Sequence, residues 1–178
     1  MDYIDRIAAL GACAEAIEWL RASCHPDLAT AWAACPRAEW MLWLAARCAT
    51  PGSAEHRAVV AAAADCAGAV LDLAPGAAGA RRAVEAAQAW AQEEASTADC
   101  RHARLACALV SYDRVDAATV HATEAAAETV DSAYLPSADE RATAAAAAAD
   151  YAETAGADPA HLLTLVRRSL PHPPTLPE

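Results

Sequence analysis

Apolar residues recur at steps of three and four along almost the whole chain. Ile4, Ile7 and Leu10 keep that spacing up to Gly11, and Cys13, Ile17 and Leu20 carry it on to Ser23-Cys24-His25-Pro26. The pattern predicts one bent helix or two short ones. Asp27 is placed to cap a helix through Trp32 and Cys35. Pro36 is placed in the first turn of the next, which runs to about Cys48 before Thr50-Pro51-Gly52 stops it. Val59, Ala63, Cys66, Val70 and Leu73 form a long apolar face over residues 53–74, closed by Pro75-Gly76. Val84, Ala87 and Trp90 mark a helix over 78–94, and Ser96 with Asp99 offers a capping pair for one over 97–110. Asp113 is a candidate start for a helix carrying Val115, Thr119, Ala122 and Ala126 to Val130. Ser137 with Glu140 is a capping box for an Ala-rich helix over 137–155, and Asp158-Pro159 opens a last one bearing Leu162, Leu165, Val166 and Leu170. The expectation is an all-α bundle of seven to nine Ala-rich helices in one domain over residues 1–170, with a Pro-rich tail at 171–178.

Alanine-lined faces let helices approach closely but bury little area each, so Leu, Val, Ile and Trp must supply most of the hydrophobic stabilisation. Three of the five tryptophans, Trp32, Trp40 and Trp43, fall within one short stretch. Each brings a large apolar area and an N–H that needs a partner, which marks either a fold nucleus or a recognition surface. On a helix from Pro36, Glu39, Trp43 and Arg47 share one row with Trp40 beside them, while Ala38, Leu42, Ala45 and Ala46 occupy the other side. A helix apolar nearly all round is normally central, and its Arg37, Glu39 and Arg47 then satisfy neighbouring polar groups. The same helix also suits a cleft, since Trp and Arg are the residues that most often carry binding energy. Ala12-Cys13 through Trp19-Leu20 echoes Ala34-Cys35 through Trp40-Met41 with a one-residue slip, a likeness that so much alanine produces by chance.

A net charge of −11 leaves no electrostatic footing for a phosphate backbone, so direct nucleic-acid binding is not expected. The same charge would speed encounter with a basic protein. The N-terminal residues lack a basic region followed by an apolar core, and no stretch approaches the roughly 20 apolar residues of a membrane span, so a cytosolic, membrane-free protein is expected. The odd set of seven cysteines, scattered through helical patterns, suits reduced, buried thiols, with Cys100 and Cys107 on one face. No C-x-x-C occurs, Cys100 and His102 point to different sides of a helix, and His121 with Glu124 is a single i, i+3 pair, so no metal site is expected from spacing. There is no G-x-S-x-G, P-loop or H-E-x-x-H, so no catalytic residue and no cofactor is assigned.

The stretch Trp32-x-x-Cys35-x-Arg37-Ala38-Glu39-Trp40-Met41-Leu42-Trp43-Leu44 resembles a motif of the immunity proteins of bacterial polymorphic toxin systems, the immunity-protein-five-like group. There a Trp and a Cys lead into Arg-Gly-Asp-Trp and an aliphatic-Trp-Leu run; here Ala38 stands in place of the Gly and Glu39 in place of the Asp. Cys13 with Trp19, the Ala-rich middle and the ending Leu165-Val166-Arg167-Arg168-Ser169-Leu170-Pro171 are similar to that group's plan. The resemblance implies an all-helical cytoplasmic protein that binds and neutralises a cognate toxin, a basic one if charge assists, with Trp32, Arg37, Glu39, Trp40 and Trp43 as binding residues. The alternative is a small-molecule or metal-binding bundle, or an enzyme, with a Trp/Arg/Glu-lined pocket. Convergence of Arg37, Glu39, Trp40 and Trp43 on an enclosed cavity favours the second; a broad exposed acidic patch favours the first.

Overall fold

The computed structural model describes residues 2–73, 78–108 and 116–177. Among them are ten helices and no strand: α1 (Tyr3–Ala9), α2 (Ala14–Ser23), α3 (Leu28–Ala34), α4 (Ala38–Cys48), α5 (Ala54–Gly68), α6 (Ala78–Ala91), α7 (Thr97–Ala108), α8 (Ala117–Tyr134), α9 (Ala138–Thr154) and α10 (Pro159–Ser169). The all-α reading holds, but the expected seven to nine helices fall short of this number. One reason is Gly11, whose φ of +94° separates α1 from α2 where a single bent helix was an option.

Side-chain caps set most of the starts. Asp27 accepts from Thr30 N–H at 2.8 Å and Asp116 from Thr119 N–H at 2.9 Å. Ser137 and Glu140 bond reciprocally as the capping box, and Pro159 opens α10 behind Asp158. Pro36, however, lies outside α4. Cys35, as the residue before proline, is extended, and so is Arg37 (φ −130°, ψ 123°), so the helix begins only at Ala38. The helix expected over 53–74 ends at Gly68, followed by a 3-10 turn at Leu71–Leu73. The expected start at Asp113 with Val115, the end of the helix over 97–110 and the Pro75-Gly76 stop lie outside the described residues.

Helices α8 and α9 run side by side at the centre, with α4 on the far side of α9 and α6 and α7 on the far side of α8. Helix α5 packs against both central helices and meets α6 and α10. Close packing follows from small residues: Ala142, Ala145, Ala148, Ala149 and Ala152 of α9 and Ala122, Ala125 and Ala126 of α8 are buried. Buried hydroxyls on α8 fold back on their own helix, Thr123 donating to Thr119 O and Thr129 to Ala125 O, both at 2.8 Å, which satisfies these two hydroxyls within α8. Gly79 brings α6 against α7 so closely that a Cβ would lie 2.5 Å from Ala106 O.

At the far end of the chain Leu176 is buried, and Arg6 of α1 donates to Leu176 O at 2.6 Å and to Pro177 O at 2.8 Å. All seven cysteines are unpaired, but they are not all buried as expected: Cys13 and Cys24 are exposed. They flank α2 as its N-cap and its left-handed C-cap (φ 51°), so Cys13, expected in the apolar stripe with Ile17 and Leu20, stands at the exposed end of the helix instead.

Candidate functional site

Helix α4 presents two faces. Ala38, Met41, Leu42, Ala45 and Ala46 are buried, Met41 and Leu42 almost completely, so this is the core helix its composition suggests. Its other side, carrying Glu39, Trp40, Trp43 and Arg47, is only half-buried and turns toward the first three helices. The short helices α1, α2 and α3 cover that side with Ile7, Leu20, Leu28 and Ala31 but do not fill it. Between them remains a hollow of about 310 Å³, open at the exposed Gly11 and Cys13.

Four of the five residues singled out from the sequence line this hollow: Trp32, Glu39, Trp40 and Trp43. Trp32 is the most deeply set, at 5% exposure, and its indole N–H donates to Leu170 O at 3.1 Å, tying α3 to the end of α10. Trp40 meets Trp19 of α2 with ring centroids 6.0 Å apart at 47°, and Trp19 in turn meets His25 at 5.6 Å.

The fifth residue, Arg37, is not part of the lining. Its side chain is 41% exposed, its Cζ sits 5.5 Å from the centre of the Trp40 ring, and its guanidinium pairs with Glu39. The Glu39 side chain is only 13% exposed, and burial pushes its carboxyl above the ordinary value of 4.5 while Arg37 draws it back down. Glu153 acts electrostatically on both members of the pair and Glu15 on Arg37, so the pair sits in an acidic neighbourhood. Arg47, below Trp43 on the same row, is engaged structurally, donating to Leu10 O at 3.1 Å and meeting Asp139 at 3.1 Å.

Trp19 is the site residue the sequence reading missed. Its signal was present in the echo that aligns Trp19-Leu20 with Trp40-Met41, which matches two indoles now seen in ring contact.

Chemically the hollow is an apolar cavity with one carboxylate. It holds no histidine. Its Cys35 thiol is pushed up by burial and donates to Arg37 O at 3.5 Å, so it is a core thiol rather than a thiolate nucleophile. His121 and Glu124 do not reach it: His121 stacks on Tyr151 of α9 with centroids 6.0 Å apart. Among the described residues no cluster of three His, Cys, Asp or Glu has the geometry of a metal site, and no helix is long and apolar enough to cross a membrane. Comparison with family models, curated proteins and solved structures found no match to this chain, so its function rests on the site itself.

Proposed function

We propose that this chain is a non-catalytic binding protein, an immunity protein that occupies and blocks a cognate bacterial toxin in the cytoplasm, with the tryptophan-lined hollow as the receptor for an anchor side chain of that toxin. One observation carries the reading: Trp32, Glu39, Trp40 and Trp43, which also form the motif that resembles the immunity-protein group, line the same hollow. Binding energy concentrates where aromatic side chains surround a desolvated pocket and a polar rim excludes water. Arg37, partly exposed and paired with Glu39, supplies a polar edge beside the hollow. The net charge of −11 favours a basic partner and a fast, salt-sensitive encounter.

Concavity favours a second reading, a receptor for a small apolar molecule, because about 310 Å³ sits at the lower end of ligand-pocket volumes. The experiment that separates the two captures partners with wild-type and Trp43→Ala bait at low and moderate salt, then expresses the captured protein alone and with wild type. The immunity reading expects one protein in near-equal amount on wild type only, arresting growth alone and tolerated with wild type. Equal capture by both baits, or a captured protein without toxicity, overturns it. A small-molecule adduct in native mass spectra of the purified protein, with no protein captured, establishes the second reading.

A further inference from the structure

The lining of the hollow is almost entirely hydrocarbon and indole, and its one carboxylate is Glu39. A carboxylate facing an apolar space needs a counter-ion, and the chain shows which kind these walls accept. Arg37 places a guanidinium on Glu39 and over Trp40, the two residues that also face the hollow. That arrangement combines a charge-assisted hydrogen bond with a cation–π contact, a pairing for which guanidinium is better suited than ammonium. Arg37 is a single cation on a chain whose net charge is −11, and Glu15 and Glu153 add negative potential at the same guanidinium. Trp19 and Trp43 offer two further indoles in the hollow that the Arg37 side chain, standing outside the lining, does not cover.

We infer that the hollow takes a second guanidinium, the side chain of an arginine on the protein partner, with its methylene stem against Trp43 and Leu44, its head beside the Trp19–Trp40 pair, and Glu39 as shared counter-ion. The inference rests on the binding reading above and gives the anchor its chemistry. Arg37 is a positioning residue in this scheme: it holds Glu39 toward the hollow and is exposed enough to shift when a second cation arrives.

The test needs no identified partner. Nα-acetyl-arginine amide and its neutral isostere, the citrulline derivative, are titrated into the full-length protein while the indole N–H resonances of its five tryptophans are followed. The expected result is saturable movement of a subset of indoles, about tenfold tighter for the arginine probe than for the citrulline probe, with the preference removed by Glu39→Gln. The comparison within wild type keeps the test meaningful even if that variant folds poorly. Equal affinity for both probes, or no movement with either, overturns the inference. A lysine probe binding as tightly as arginine overturns the guanidinium assignment, and tighter binding of phenylethylammonium than of any amino-acid probe reassigns the site to a small organic cation. Capture of a toxin that survives Glu39→Gln but not Trp43→Ala leaves the immunity reading standing and sinks this inference alone.

Discussion

At the scale of single residues, the tryptophans of the motif divide by burial in a way their spacing did not reveal. Trp32 is 5% exposed and bonded to Leu170 O, whereas Trp43 is half-buried at the wall of the hollow. Trp32→Ala is expected to cost about 3–5 kcal/mol in denaturant titration, and Trp43→Ala roughly 1–2 kcal/mol while removing partner binding. Equal losses would return Trp43 to the core. His56 escaped the sequence reading altogether, because nothing in its helical surroundings announces a buried imidazole. Its Nδ1 accepts from Gly52 N–H at 2.9 Å, its Nε2–H donates to Ser132 O at 2.8 Å, and its ring meets Trp90 edge-on at 5.0 Å. Burial holds it below its ordinary pKa of 6.5, so the unfolded chain takes up a proton that the folded one refuses. Its contribution is whole above the unfolded value and declines as pH falls from there through the lower folded value. Unfolding free energy measured between about pH 7 and pH 5 is expected to fall more steeply in wild type than in His56→Gln; equal slopes would assign the loss to other groups.

At the scale of elements, caps were the most legible feature. Ser137 with Glu140, Asp27 and Asp158-Pro159 start helices where the sequence indicated, because each is a local bond between a side chain and a backbone N–H two or three residues on. What remained hidden depends on residues distant in sequence. The contact of Gly79 with the backbone of α7 is one case, and it makes two glycines behave oppositely. A Cβ at Gly79 would lie 2.5 Å from Ala106 O, whereas one at Gly68 would meet only Val84 Cγ1 at 3.9 Å. Gly79→Ala is therefore expected to destabilise by about 1–3 kcal/mol despite the better helix former, and Gly68→Ala to stabilise by up to about 1 kcal/mol. Thermal midpoints moving in the same direction would contradict the close approach of α6 and α7. The hollow was hidden for the same reason: α4 shows its own two faces in its sequence, but not that three short helices cover one of them incompletely.

At the scale of the molecule, buried residues of all ten helices join one apolar cluster built largely from alanine. Such a core leaves its thiols shielded by desolvation rather than by pairing. Burial pushes Cys66 up to about 12 and Cys100 and Cys107 to about 11, while Cys13 and Cys24 stand exposed. Alkylation of the native protein at about pH 8 is expected to modify Cys13 and Cys24 first and to spare Cys66, Cys100 and Cys107 until the chain unfolds. Early labelling of Cys66 would show that the centre opens far more readily than its packing indicates.

The clasp between Arg6 and the carbonyls of Leu176 and Pro177 joins positions 170 residues apart, and the next residue along α1, Ile7, is part of the wall of the hollow. A protease that trims the chain before Leu176 therefore removes the acceptors that hold Arg6 and loosens the helix that carries Ile7. The hollow would then lose its shape even though every residue of its lining is intact.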